Sequence, residues 1–245
     1  MLIWYSLKMK LFAITTLLVA VSSANAQSAC CAPLQYMAGI GTSMGQYEYF
    51  KGGSGLTSYI YGAFDFSAMT FGFGMYIDYM NGTQISFRII QNYTTDTQWA
   101  IFDSYKVCVK QPAFKPVPTR CIPDGAVPVG DGIIGGVDGI TVSSFYYFPG
   151  PDDPRQGIVN LGVRKTNNSG ICTPVSSQFQ GSRSDMPLVA GMMEISGFSN
   201  VTVGIPDPGK WFNLPSFCNE QDGHMSSKSG QELLDLGDFI IPSLF

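Results

Sequence analysis

The sequence predicts an all-β fold of antiparallel strands. Three observations predict it: apolar and polar residues alternate strictly over 69–79, an Asn-Gly pair then leads at once into a second alternating run, and no long helical periodicity precedes residue 230. The 28 glycines and 15 prolines supply the turns that such a chain needs.

Taken in order, residues 1–26 read as a secretory signal. Lys8 and Lys10 form a basic start, "LFAITTLLVAV" an apolar core, and Ala24-Asn25-Ala26 a small-residue cleavage site. The apolar run falls short of the ~20 residues of a membrane-crossing helix, and no later segment reaches that length, so no integral membrane segment is expected. From Gln27 onward, 12 basic residues stand against 18 acidic ones, a net charge of −6, with no Lys/Arg cluster. That balance argues against a nucleic-acid partner, whose phosphates are held by clustered cations.

Cys30, Cys31, Cys108, Cys121, Cys172 and Cys218 are an even set spread along an exported chain, which reads as a disulfide framework with its pairing open. No C-x-x-C occurs and the one histidine, His224, lies in a polar tail, so a zinc site is not expected. Side chains of adjacent cysteines diverge, so Cys30 and Cys31 should reach different partners.

The Gly-rich stretch 39–58 reads as loop or irregular strand. In 69–79, Met69, Phe71, Phe73, Met75, Ile77 and Tyr79 share one face. Asn81-Gly82 predicts a hairpin turn with φ > 0 at both central residues. Residues 84–93 alternate again, with Ile85, Phe87, Ile89 and Tyr93 inward, and 98–109 reads as a third strand carrying Trp99, Ile101, Tyr105, Val107 and Val109 on one side. The five prolines of 110–128 make that segment a connection. Further strands are expected at 128–134, 139–148, 157–165, 172–180 and 187–199, a turn at 149–157, and one short helix at 230–240. The chain divides into signal (1–26), one β domain (27–218) and a tail (219–245).

Four N-x-S/T sequons, at Asn81, Asn92, Asn167 and Asn200, agree with export. Asn92 and Asn200 fall on faces opposite the apolar residues of their strands, where a glycan has room.

Catalytic machinery is thin. A nucleophile needs a positioned base, and His224 is remote from every apolar run. Asp65, Asp78, Asp103 and Asp138 are scattered carboxylates in strand and turn positions, Asp131 and Asp138 fit no EF-hand spacing, and no phosphate-binding glycine motif opens a helix. The chain is not expected to be an enzyme or to need a cofactor. What stands out is one apolar sheet face. Phe71, Phe73, Met75, Phe87 and Trp99 are the residues expected to line a pocket for an apolar ligand.

Several motifs carry a family likeness. "CCAP" at 30–33, "AFDF" at 63–66, "CIP" at 121–123, "CTPV" at 172–175 and above all "NVTVGIPDPGKWFNLPSFC" at 200–218 resemble the ependymin family, in its invertebrate-type ependymin-related branch. Tyr36 stands where that family usually has Trp, and the Gly-rich stretch and the tail have no counterpart. The resemblance implies two antiparallel sheets curved into a half-open barrel, similar to bacterial lipoprotein carriers, with a deep apolar pocket and a homodimer. It implies disulfides Cys31–Cys172, Cys108–Cys218 and Cys30–Cys121; the version with Cys30 and Cys31 exchanged stays open. The function it implies is a secreted or lysosomal glycoprotein binding a lipid or another hydrophobic molecule. The alternative is an extracellular adhesion, matrix or signalling protein that uses calcium, reached partly through acidic glycans, by residues the sequence leaves unknown.

Overall fold

The computed structural model describes residues 30–166 and 170–219. The expected signal, the Asn167 sequon, His224 and the expected tail helix lie outside the described residues. No helix among those described is long and apolar enough to cross a membrane.

Eleven strands form one antiparallel sheet: β1 (Gln35–Glu48), β2 (Gly52–Asp65), β3 (Thr70–Tyr79), β4 (Gln84–Asn92), β5 (Thr97–Phe102), β6 (Val107–Gln111), β7 (Val127–Ile134), β8 (Ile140–Tyr147), β9 (Arg155–Lys165), β10 (Cys172–Arg183) and β11 (Val189–Val203). Their order is β6-β5-β4-β3-β2-β1-β11-β10-β9-β8-β7, and the sheet does not close. The all-β antiparallel class is as expected. The two expected sheets are two meanders, and the long β1–β11 pairing, from Tyr36↔Val203 to Glu48↔Val189, fuses them into one.

Ten strand spacings of ~4.8 Å would set the edges of a flat sheet roughly 48 Å apart. A single connection, 112–126, runs from edge strand β6 to edge strand β7, and it is stapled on the way: Cys121 is bonded to Cys31, the Ile122 N–H donates to the Cys30 carbonyl at 3.0 Å, and the Ala32 N–H to the Arg120 carbonyl at 2.8 Å. At about 3.3–3.6 Å per residue such a segment could just span a flat sheet; the curl is shown instead by the core, where Phe73 and Phe87 of one meander are buried with Phe145 and Leu161 of the other. Ile122, Cys30, Ala32 and Cys172 are buried in the main core, so this strap closes one end of the curled sheet.

The disulfides are Cys30–Cys172, Cys31–Cys121 and Cys108–Cys218. This corrects the pairing implied for the adjacent cysteines, which are exchanged. Backbone pairing explains why: Cys31 forms bridges with both Cys121 and Ile171, and its carbonyl accepts from the Cys172 N–H at 2.9 Å. Cys31 thus sits in ladder register with Cys121, leaving Cys30 to turn toward Cys172.

Residues 39–58, expected as loop or irregular strand, lie in the long, regular hairpin of β1 and β2 at the centre of the sheet. Ile40, Thr42 and Met44 alternate inward, while Gly41, Ser43 and Gly45 between and beside them leave little side chain on the outer face. At Gly39 the close neighbour is the Tyr59 hydroxyl, 2.5 Å from where a Cβ would stand. The Asn81-Gly82 hairpin forms, but with a longer loop than expected. The Tyr79 N–H donates to the Thr83 carbonyl at 2.9 Å and only Gly82 has positive φ, 84°. That is the pattern of a three-residue loop with glycine in the left-handed position.

The expected strand 98–109 is two strands, β5 and β6, joined by a turn at 103–106 that ends with Lys106 at φ 55°. Alternation restarts across this turn, so Trp99 and Ile101 face out whereas Val107 and Val109 pack against the core. After β11, α1 (Pro208–Phe212) starts with Pro208 at its first position and Asp207 as cap, accepting from the Lys210 N–H at 3.3 Å. With α2 (Ser216–Asn219) it lies over the outer face of β2, β3 and β6, where Cys108–Cys218 fastens it.

Candidate ligand site on the inner face

Cross-strand rows order the inner face from the strap to the opposite rim. Nearest the strap, Tyr36, Phe64, Phe71, Gln91 and Gln98 stand side by side on β1 to β5. Tyr36 and Phe64 stack at 5.0 Å, and the Gln91 amide donates to the Gln98 carbonyl at 2.6 Å, so a buried polar pair satisfies itself inside an aromatic wall. Burial of the Tyr36 hydroxyl pushes its pKa upward. Next comes Ala38-Gly62-Phe73-Ile89-Ala100, then Ile40-Ile60-Met75-Phe87, all apolar.

Polarity returns toward the rim. Ser58, Thr42, Ser196 and Ser177 sit on β2, β1, β11 and β10 as an unbroken row of buried hydroxyl side chains. Thr42 and Ser196 share a hydrogen bond at 2.8 Å; the Ser58 hydroxyl has no partner among the described residues. One row further, Tyr79, Leu56, Met44, Glu194, Phe179, Val159 and Tyr147 cross seven strands. Glu194 interrupts them with a carboxylate. It keeps some surface while lying deep among surrounding atoms, which is how a group lining a concavity behaves.

Beyond this row the rim is charged. Arg155 on β9 is paired in register with Arg183 on β10. Asp153 grips Arg155 in a fork, from Nε at 2.9 Å and from Nη2 at 2.6 Å, and Asp185 grips Arg183 in the same way at 2.9 and 2.6 Å. Gly157 and Gly181 lie between the arginines and the apolar row, their backbones so close that a Cβ on either would meet a carbonyl oxygen at 2.2 Å. No side chain therefore separates Arg155 from Val159 along β9. Burial pushes the Asp153 carboxyl up, but the Arg155 fork, the Arg155 N–H and the charge of Arg183 more than offset it and hold it below the usual range. For Glu194 the balance goes the other way: burial outweighs Arg155, Ser196 and Arg183, and its pKa is raised. Arg155, whose pKa is raised in spite of burial, stays charged.

Of the residues expected to line a pocket, Phe71, Phe73, Met75 and Phe87 are together on the inner face, each under 10% exposed and part of the main core. Trp99 is not with them. It packs on the outer face with Ile90, Ile101, Cys108, Cys218, Leu214 and Phe217, with the Lys110 ammonium 5.5 Å from its ring. The turn at 103–106 is the cause, since it broke the alternation on which Trp99 had been placed. Asn81 and Asn200 are exposed and Asn92 is half-buried, its Oδ1 accepting from the Thr94 and Thr95 N–H groups at 2.9 and 3.1 Å. Among the described residues no group of three or more His, Cys, Asp or Glu is placed to hold a metal ion. Glu194 and Arg155 were not singled out in the sequence; the signal was available, as a carboxylate in line with Met192, Ser196 and Phe198, and an arginine in line with Val159, Leu161 and Val163.

These features define a class: an open, curled antiparallel sheet, stapled by three disulfides, with an apolar inner face that turns polar toward one rim. No family model matches the chain. It is 33% identical over 162 residues to development-specific protein LVN1.2 of Lytechinus variegatus, a match covering 65% of this chain and 85% of that protein. The chain belongs to the family of that development-specific protein. Two solved structures are similar at a lower level. A putative outer membrane lipoprotein-sorting protein domain from Vibrio parahaemolyticus has a TM-score of 0.27 and 10% identity over 71% of this chain and 88% of that one. A LolA superfamily protein from Nitrosomonas europaea has a TM-score of 0.29 and 8% identity over 74% and 91%. At these scores neither superposition assigns an equivalent residue here.

Proposed function

We propose that this chain is a secreted glycoprotein of ependymin-related type that binds a hydrophobic molecule, a lipid, against the inner face of its sheet, without covalent chemistry. One observation carries the reading: the inner face is apolar from the strap to a row of buried hydroxyls, apolar again in the next row apart from Glu194, and charged at the opposite rim, so a long apolar path ends at ionised groups, as an amphiphile requires. Removing a hydrocarbon tail from water gains about 0.8 kcal/mol per CH₂ group. The hydroxyl row and the rim accept the groups that a tail carries at its end. Three disulfides suit a chain that passes through an oxidising compartment on its way out of the cell or to the lysosome. The exposed Asn81 and Asn200 are the acceptors this reading gives to glycans, and the unpaired edges of β6 and β7 leave room for a second copy, so a homodimer is part of it.

The test is native mass spectrometry of protein secreted from eukaryotic cells, followed by solvent extraction and lipid analysis. A stoichiometric lipid, or uptake of added fatty acid or phospholipid, is the expected result. A protein that is empty and takes up neither would overturn the reading in favour of an extracellular adhesion, matrix or signalling role, with calcium then sought on its glycans.

A further inference from the structure

We infer that Arg155, with Tyr147 beside it, is the anion-reading group of the inner face, so that the ligand is a single-chain amphiphile ending in a carboxylate or a phosphate. The inference rests on the apolar-ligand reading above and names the head group of that ligand.

One donor of Arg155 is left over. Arg155 has 8% of its surface exposed, and Asp153 occupies its Nε and Nη2 edge. Nη1 has no hydrogen-bond partner among the described residues. A guanidinium offers only donors, so what completes it is an acceptor, best an ionised one. An unmade hydrogen bond on a buried cation is costly, and a fold that keeps one has a use for it.

The place fits as well. Tyr147 is on the neighbouring strand, interacts electrostatically with Arg155, and its buried hydroxyl likewise lacks a partner. The two groups thus lie close enough to interact, yet neither the Tyr147 hydroxyl nor Arg155 Nη1 makes a well-formed hydrogen bond, so both can turn to one acceptor placed between them. Both stand on the inner face, Tyr147 opposite Val159 and Arg155 two alternations further along the same strand, with side-chain-free Gly157 between. A head group at this point would direct its tail along Val159, Phe179 and Met44, and past the hydroxyl row toward Phe87 and Met75. Glu194 does not take the place of the anion. Its buried carboxyl holds its proton more readily than an ordinary one, and its oxygen accepts from the Ser196 hydroxyl at 3.3 Å. A cationic head group would leave Nη1 unanswered, and a sterol hydroxyl would offer it only a neutral acceptor.

The experiment compares oleate, oleoyl lysophosphatidate and oleyl alcohol by isothermal titration calorimetry on the full secreted protein. The tails match, so head-group recognition appears as a ratio. Oleate or the lysophosphatidate should bind ~10–100-fold tighter than the alcohol, the range that a charge-assisted hydrogen bond provides; whichever binds tighter identifies the carboxylate or the phosphate. Arg155→Gln should reduce that ratio to about 1–3, and Tyr147→Phe should reduce it severalfold. Equal binding of all three probes to the wild type, or a ratio preserved in both variants, overturns the inference and leaves the apolar-ligand reading intact. Binding of none overturns that reading, and this one with it. If Arg155→Gln does not fold because Asp153 loses its partner, the wild-type ratio and Tyr147→Phe decide.

Discussion

Gly72 of β3 lies directly beneath Trp211 of α1: a Cβ on Gly72 would stand 2.3 Å from the Trp211 carbonyl oxygen. The short helix is thus seated on the sheet through an absence of side chain, with the Trp211 ring edge-on to Tyr61 at 5.5 Å. Gly72→Ala should lift α1 and cost about 1–3 kcal/mol, the usual penalty of overpacking. Urea denaturation measures the cost, and Trp211 fluorescence the lift. An unchanged midpoint and spectrum would mean that α1 does not rest there.

The exchanged cysteine pairing has a direct check. Cys121→Ser should expose one alkylatable thiol, on Cys31, and lower stability by about 2–4 kcal/mol through the released loop. Alkylation found on Cys30 instead would reverse the assignment.

The hydroxyl row should respond unevenly. Thr42→Val strips the Ser196 hydroxyl of its 2.8 Å partner and should cost about 1–2 kcal/mol, whereas Ser58→Ala removes a buried hydroxyl that has no partner and should be neutral or stabilising. Thermal melts of the two variants, free of added lipid, check this. Equal losses would show that Ser58 is bonded after all.

Glu194 predicts a pH dependence. Arg155 on β9, Arg183 on β10 and Ser196 on its own strand act on it, yet burial leaves its folded pKa raised. The folded protein then holds the proton more tightly than the unfolded chain. The contribution is complete below the unfolded value and is lost as pH rises through the folded value. Glu194→Gln should therefore be more stable than the wild type at neutral pH, with the difference vanishing toward about pH 4. Melting temperatures from pH 4 to 8 supply the test; a variant weaker at neutral pH would mean that the arginines hold an ionised Glu194.

Legibility in the sequence followed how much each stretch depends on its own neighbours. The hairpin of Phe71, Met75, Phe87 and Ile89 was readable because alternation and a glycine turn are local. The strands from 127 to 203 were readable for the same reason. The central hairpin was not, because its outer positions mix Gly41, Gly45 and Gly55 with Tyr59 and Tyr61 while its inner ones include Thr42 and Ser58, so contrast between faces was low. Trp99 was placed on the wrong face because a turn without Gly or Pro, Asp103 to Lys106, reset the alternation unannounced. Arg155 and Glu194 meet only through the packing of β9, β10 and β11, and no spacing in the chain announces a pair 39 positions apart in number.

The pairing of β1 with β11 bears on how the protein is made. Synthesis delivers β1 first, yet one of its two neighbours, β11, is the last strand among the described residues, and Cys30 waits 142 residues for Cys172. At roughly 5–20 residues per second, β1 through β6 are complete while the strand that must lie on the open flank of β1 does not yet exist. During that interval the nascent chain presents Tyr36, Ile40 and Met44 on a bare edge beside two reduced thiols, either able to capture Cys108 when it arrives. Correct pairing is therefore expected to need catalysed disulfide exchange, and a host that lacks it should accumulate Cys108 in mispaired forms.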